Sequence, residues 1–388
     1  MRSLFPTLLF LAASACTSSS MMDDTGDDGP ATCGNNAVDT GEQCDDGNDN
    51  NFDGCRSDCT AVDKLTSDAM TWKYFEIPGT KCIDGTPAGF SVNFNPASTK
   101  IAIYLEGGGA CFNTFCDSLF TRGGNQPSNG GIFDRTNAAN PLKDWTWVYV
   151  PYCSGDVYSG QADTMVGGKM RSFYGYSNIT AFLERIVPSF TVDQVLLTGA
   201  SAGGFGAAVN FTQTQRAYGS IPVTLIDDSG PPMSKDIYPP CLQTLWKTTW
   251  GLDKTVVAEC GSACSGGTFV EETFDHMRQE FPDMKGGLFS SVGDQTIRTF
   301  AGYGWSGGYN MCKDTPTAVT TTVYTQGLMA LRTKVQGEGA SFGTYYISGS
   351  SHTIERSANF YSMSVANTPV TKWMSDLLAG TPSHLGPN

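Results

Sequence analysis

The chain has 388 residues, of which 40% are hydrophobic and 11% aromatic, enough for one large domain with a sizeable core and some additions. Its formal net charge of −14 is uneven: between Thr17 and Asp63 twelve acidic side chains face only Arg56, so this stretch holds eleven of the fourteen excess negative charges. The remainder is close to neutral and carries no basic patch, which argues against a nucleic-acid partner.

The first sixteen residues read as an export signal. Arg2 supplies the positive charge, and the apolar run from Leu4 to Leu11 is too short to span a bilayer. The run ends in Ala13-Ser14-Ala15-Cys16, small residues before a Cys, as in a bacterial lipobox. Cys16 is therefore the expected acylated N-terminus, with Thr17 after it pointing to the outer membrane. Residues 17–32 are too polar to pack and read as a flexible acidic tether.

Of the thirteen Cys, twelve remain once Cys16 is set aside, an even number suited to disulfides in an oxidising compartment. Residues 33–59, CGNNAVDTGEQCDDGNDNNFDGCRSDC, hold Cys33, Cys44, Cys55 and Cys59 and resemble the cysteine-rich repeat of myxobacterial surface proteins. A module this small needs its disulfides as staples. Its Asp45–Asp53 run could coordinate calcium; a solvated, turn-rich loop is the preferred reading, because EF-hand spacing and its terminal Glu are missing. A metal site built on the thiols is disfavoured, since the chain has only three His and none lies near them. Residues 60–70 read as a linker.

A single large domain is expected over residues 71–380. Lys73–Ile77 and Phe90–Phe94 look like antiparallel strands. Apolar, β-rich runs follow at Ile101–Leu105, Trp145–Val150, Val195–Thr198, Val223–Ile226, Gly287–Val292 and Thr344–Ile347, with helical patterns at Ile179–Val187 and Ala202–Tyr218. Buried strands alternating with helices imply an α/β fold with a mostly parallel sheet covered on both faces.

The strongest motif is Gly199-Ala200-Ser201-Ala202-Gly203, between the run Val195–Thr198 and the helical pattern. That is the strand–turn–helix context of a nucleophile elbow: Ser201 sits in a strained turn, flanking glycines relieve clashes, and the helix N-terminus stabilises a developing anion. A second glycine motif, Glu106-Gly107-Gly108-Gly109-Ala110, follows the run Ile101–Leu105, where such folds place an oxyanion-hole amide. A phosphate-cradling loop would need a Lys-Ser/Thr after it, and none is present. Among the histidines, His276 lies in a helical segment ahead of the expected acid, and His384, four residues from the C-terminus, is expected to be disordered. His352 follows the last strand and comes last in chain order, as the base of this fold does. Asp294, after Gly287–Val292, is the preferred acid over Asp227 and Asp228, which are expected to orient the loop under Ser201.

The stretches YLEGGGACFN at 104–113, VPYCSGDVYSG at 150–160, GASAGGFGAAVN at 199–210 and CIDGTPAGF at 82–90, with the segments around Asp294 and His352, resemble the pectin acetylesterase/Notum family. The resemblance runs from about residue 71 to 375. It implies an α/β-hydrolase that cleaves carboxylic esters with a Ser201-Asp294-His352 triad, without metal or organic cofactor. It also implies an oxyanion hole of the Gly108, Gly109 and Ala202 amides and a Cys82–Cys153 disulfide. Spacing alone suggests Cys111–Cys116; Cys241, Cys260, Cys264 and Cys312 stay unassigned. The plant members carry Trp at the place of Ala110 and Notum carries it at that of Gly109, so this chain has less bulk beside the loop.

The expected function is that of a secreted serine carboxylesterase, anchored to the outer membrane through Cys16, releasing acetate from an acetylated polysaccharide. The alternatives are a Notum-like deacylase of longer acyl esters, a peptidase on the same scaffold, and a non-catalytic surface-binding lipoprotein.

Overall fold

The computed structural model of the chain describes residues 33–113, 116, 126–264, 268–305, 312, 315–337 and 341–387. The expected signal, Cys16 and the tether lie outside the described residues. The first strands, β1 (Trp72–Glu76) and β2 (Gly89–Asn93), pair antiparallel, as read from the sequence, one residue earlier than expected. In chain order there follow β3 (Lys100–Leu105), β4 (Thr146–Val150), a hairpin of β5 (Ala162–Val166) and β6 (Lys169–Phe173), α1 (Gly175–Ile186), β7 (Gln194–Ala200), α2 (Ala202–Tyr218) and β8 (Val223–Asp228). The C-terminal half adds α3 (Pro240–Trp250), α4 (Val256–Cys260), α5 (Val270–Glu280), β9 (Lys285–Ser291), α6 (Gln295–Trp305), α7 (Thr321–Gly337) and β10 (Phe342–Ile347). Last come β11 (Ser364–Val365), β12 (Thr368–Pro369), α8 (Val370–Leu378) and β13 (His384–Leu385).

Nine of these strands form one sheet in the order β1-β2-β4-β3-β7-β8-β9-β10-β13, parallel from β4 onward. The central strands are apolar on both sides, and the pleat divides them between two cores. Ile101, Ile103 and Leu105 of β3 and Val195 and Leu197 of β7 face the core shared with α1 and α2. Ala102 and Tyr104 of β3 and Leu196 and Ala200 of β7 face the core that holds Trp373 and Leu377 of α8. This is the α/β-hydrolase-like sheet expected from the sequence.

Two expectations need correction. His384 is not disordered: β13 pairs with β10, Thr344 opposite His384, and the Thr344 hydroxyl lies 3.1 Å from His384 Nδ1. The domain therefore continues past residue 380, because β13 covers an otherwise open sheet edge. Nor are residues 60–70 a free linker. Leu65 is buried in the main core, its N–H donates to Ser189 Oγ at 2.8 Å, and Arg185 donates to the Asp63 carbonyl at 2.9 Å. The cysteine-rich module sits on the same corner: Phe52 packs on that core, and Arg56 Nε lies 3.5 Å from Glu184 Oε2.

Six disulfides are formed, the pattern of a chain that folds in an oxidising compartment. Cys33–Cys59 and Cys44–Cys55 staple the module, and Cys82–Cys153 and Cys111–Cys116 pair as expected. Cys241–Cys312 and Cys260–Cys264 complete the set. In the module the acidic run is spent on turns. The Asp45 carboxylate accepts the N–H groups of Gly34, Asn35, Asn36 and Gly47, Asn48 Oδ1 accepts Asn50 N–H, and Asn50 Oδ1 accepts Phe52 N–H.

Candidate active site

The strand order creates a crevice. The chain leaves β3 toward β4 on one side and leaves β7 toward β8 on the other, so the loops after these adjacent strands diverge and open a cleft at their carboxyl ends. Leu105 pairs with Gly199, so the glycine loop and Ser201 emerge side by side. Ser201 stands at φ 60°, ψ −120°, a backbone strain typical of a nucleophile elbow, and α2 starts at the next residue. The crossing is tight: a Cβ on Gly203 would lie 1.9 Å from the Leu105 carbonyl oxygen, and one on Gly107 would lie 2.3 Å from that of Ala200.

The glycine loop is clamped from the VPYCSGDVYSG segment. The Tyr152 hydroxyl donates to the Gly109 carbonyl at 2.9 Å, the Tyr158 hydroxyl donates to that of Glu106 at 2.8 Å, and Cys111 N–H donates to that of Gly155 at 2.7 Å. Both tyrosines are buried. Asp156, also buried, accepts the N–H groups of Tyr158, Gly160 and Gly175 and fixes the turn that carries Tyr158. The two hydroxyls thus occupy the Glu106 and Gly109 carbonyls and pin the loop at both ends of its glycine run.

His352 and Asp294 are brought together. Asp294 is fully buried in the turn after β9; its Oδ1 accepts the N–H groups of Thr296 and Ile297 at 3.0 Å each, capping α6, and its Oδ2 lies 2.8 Å from His352 Nδ1. With Nδ1–H donated to the carboxylate, Nε2 is left as the proton acceptor, and it is buried without a hydrogen-bond partner among the described residues. His276 lies on α5 with Nε2 3.5 Å from Glu280 Oε2, and His384 lies in β13, so neither meets Asp294.

Asp228, one of the rejected candidates for the acid, ties the two halves of the site. Its backbone carbonyl accepts Ser201 N–H at 2.7 Å, and its carboxylate accepts Ile354 N–H at 2.8 Å and Glu355 N–H at 2.7 Å, two and three residues after His352. Burial, partly offset by these donors, raises its pKa to about 6. Glu355 is buried as well, and burial beside Asp228 holds its carboxyl well above the ordinary range. Asp227 accepts Gly230 N–H at 2.7 Å and is raised by burial too.

Beside Ser201 opens a narrow apolar cavity that reaches solvent at its mouth. Gly109, Ala110, Ser201 and Ala202 line one end. Phe205, Val209, Trp246, Trp250, Phe269, Phe274, Ile297 and Phe300 line much of the rest, and among the described residues the hydroxyl-bearing ones besides Ser201 are Ser159, Thr273 and Tyr238. Trp246 and Trp250 stack at 5.8 Å, and Trp250 Nε1 donates to the Cys111 carbonyl at 2.7 Å, so the aromatic wall is joined to the glycine loop. Gly108, one of the expected oxyanion donors, is not among the lining residues, whereas Gly109 and Ala202 are.

One acidic cluster among the described residues has metal-ligand spacing, Glu42 with Asp45 and Cys59, but Cys59 is in a disulfide and Asp45 is occupied by backbone amides. Sequence reasoning missed Tyr152, Tyr158 and the cavity aromatics. The first two lie in a motif quoted only for its resemblance; the others carry no local signal that separates them from core residues.

A serine in a strained strand-to-helix turn at the switch point of a mostly parallel sheet is the arrangement of the α/β-hydrolases. Within that class, a model of the pectinacetylesterase family matches residues 63–264, more than half of the chain, and the chain belongs to the pectin acetylesterase family. It is 31% identical over 193 residues to palmitoleoyl-protein carboxylesterase notum1a of Danio rerio, covering 44% of this chain and 37% of that protein. It is 32% identical over 168 residues to palmitoleoyl-protein carboxylesterase NOTUM of Mus musculus, covering 38% and 33%. A shorter stretch of 93 residues is 38% identical to the inactive palmitoleoyl-protein carboxylesterase notum1b of Danio rerio, covering 20% and 65%. The chain spans about a third of the length of the first curated relatives it matches.

Proposed function

We propose that this protein is a serine carboxylesterase whose acyl side accepts a medium or long hydrocarbon chain. Ser201 is the nucleophile, His352 the base, Asp294 the group that orients it, and the amides of Gly108, Gly109 and Ala202 hold the oxyanion. His352 Nε2 takes the Ser201 proton as Oγ attacks the ester carbonyl. The alcohol leaves with that proton, and water, deprotonated by the same nitrogen, releases the acid. The Asp294–His352 pair supports the role of the base, because its geometry fixes the tautomer with a free Nε2.

The observation that carries the acyl preference is the cavity. An acetyl group needs no apolar cavity and a glycan needs polar partners, whereas the space beside Ser201 has the apolar, aromatic lining of a hydrocarbon site. Gly109 and Ala110 line it with minimal bulk. The relatives' name, palmitoleoyl-protein carboxylesterase, describes removal of a long acyl group from a protein, which agrees with such a cavity. Acetate release from an acetylated polysaccharide is the second reading, favoured by the description of the matching family model.

The deciding measurement is kcat/KM for acetyl, butyryl and octanoyl p-nitrophenyl esters, beside acetate release from acetylated pectin and xylan. Each buried methylene is worth about 0.8 kcal/mol, so a rise of at least about tenfold from acetyl to octanoyl is expected. A falling series with acetate released from a glycan would establish the second reading. Ser201→Ala should abolish all turnover with the fold retained; full activity in that variant would sink the mechanism, and an inactive wild type would leave the surface-binding alternative. We further propose that residues 33–59 form a cysteine-rich module docked on the esterase domain and that the protein is a surface lipoprotein acylated at Cys16. Mass spectrometry of the mature N-terminus tests the anchor.

A further inference from the structure

We propose that Asp228 is a positioning residue that sets the spacing of nucleophile and base, holding Ser201 with its backbone carbonyl and the His352 segment with its side chain. This inference rests on the esterase reading above. Asp294 orients the His352 ring but touches none of the backbone that places it. Before His352 that backbone is held from the Asp294 turn, by Gly293 N–H to the Gly349 carbonyl at 2.9 Å and Gln295 N–H to that of Ser350 at 3.3 Å; after His352 it is held by Asp228, whose carboxylate takes Ile354 N–H at 2.8 Å, Glu355 N–H at 2.7 Å and the Ser229 hydroxyl at 2.9 Å. On its other side Asp228 is locked as the last residue of β8, with Ser229 N–H donating to the Phe289 carbonyl of β9 at 2.9 Å. A misplacement of either reacting group by about 1 Å costs on the order of 10²-fold in rate, so a residue that fixes both acts on kcat.

Glu355 keeps its proton and leaves Asp228 as the charged member of the pair. The Thr198 hydroxyl lies 2.8 Å from the Ile226 carbonyl oxygen and 2.7 Å from Glu355 Oε1. It has one proton for two acceptors, and only the Glu355 carboxyl can bring a second. Glu355 Oε2 is buried with no partner among the described residues, which an ionised carboxylate would not tolerate. Asp228, with three donors, has the surroundings of an anion. The other charged or titratable groups around the pair are Asp227 at the end of β8, His352 and Arg356 on the loop, and Tyr104 of β3.

The experiment compares wild type, Ser201→Ala, Asp228→Asn and Glu355→Gln by steady-state hydrolysis of p-nitrophenyl octanoate and by the rate of Ser201 labelling with a fluorophosphonate. Melting curves confirm that each variant is folded. Asp228→Asn should lose at least about 100-fold in kcat with KM within about threefold, and labelling should slow in parallel. Glu355→Gln, a neutral isostere, should stay within about threefold of wild type in both. A kcat and labelling rate for Asp228→Asn within threefold of wild type would overturn the proposal, and so would a Glu355→Gln loss as large as that of Asp228→Asn. Should Asp228→Asn fail to fold, Ser229→Ala removes one donor to the carboxylate. A three- to tenfold fall in its kcat at constant KM is then expected, and no change would overturn the proposal. Ser201→Ala separates the two ideas. If it retains activity and labelling, the esterase mechanism fails; if it is inert while Asp228→Asn is unaffected, the positioning role alone fails.

Discussion

His352 differs from the other two histidines in what its ring nitrogens meet: Asp294 on one side and no described partner on the other. His352→Ala should therefore lower kcat by roughly 10³-fold or more, while His276→Ala, on a half-buried helix face beside Glu280, should stay within about threefold. If His276→Ala is the dead variant, the assignment of the base is wrong. Glu355 makes a second residue-level prediction, this time on stability. Burial and the neighbouring Asp228 raise its pKa in the fold above the unfolded value of about 4.5. The folded state then binds the proton more tightly. Its stabilising contribution is complete below the unfolded pKa and is lost as pH rises toward the folded one, by about 1.4 kcal/mol per pH unit. Glu355→Gln removes that dependence, so the variant should gain on wild type in denaturant midpoint from about pH 5 to about pH 8. A difference that does not change with pH would mean an ionised Glu355.

At the scale of elements, the site depends on how closely α2 crosses the end of β3. Gly203 in the first turn of α2 faces the Leu105 carbonyl, where an added Cβ would stand 1.9 Å from the oxygen. Both contacting atoms belong to backbone, so the helix itself would have to move. Gly203→Ala should cost about 3 kcal/mol or more and reduce activity in step with displacement of Ser201. Gly130, with nothing within 4 Å of its Cβ position, is the control, and Gly130→Ala should stay within about 0.5 kcal/mol. Equal effects at the two positions would show that the close crossing is not what positions α2.

For the whole molecule, the cysteine-rich module and residues 60–70 rest on the end of α1 and the turn before β7, where Gly54 approaches Pro188 and Leu65 bonds Ser189. That is the amino-terminal edge of the parallel strands, across the sheet from the crevice. Deleting the chain through residue 59 should thus lower the melting temperature, by roughly 2–4 °C for each kcal/mol of lost contact, with kcat/KM of the folded enzyme within about twofold. A large loss of kcat/KM at unchanged melting temperature would place the module at the substrate instead.

What the sequence determined by itself were the features set by local backbone demand or by periodicity. Short, β-rich apolar runs such as Val195–Thr198, bounded by turn residues, read as strands buried on both faces, and the GxSxG turn after that run is a steric requirement carried by five adjacent residues. Both stand where they were read, with β7 reaching two residues further at its end. The local Cys111–Cys116 bond belongs to the same class, since five residues of chain can bring two thiols together. Tertiary structure decided what depends on residues far apart in the chain. Trp246, Trp250 and Phe300 look like any core aromatics until α3 and α6 pack to leave a cavity beside Ser201. The short β13 has no periodicity to announce it and forms only because β10 offers an open edge. Asp228 was legible as the end of a strand, but its hold on Ile354 and Glu355 spans more than 120 residues. Such a contact exists only once the sheet has brought the carboxyl ends of its strands together, and no local propensity encodes it.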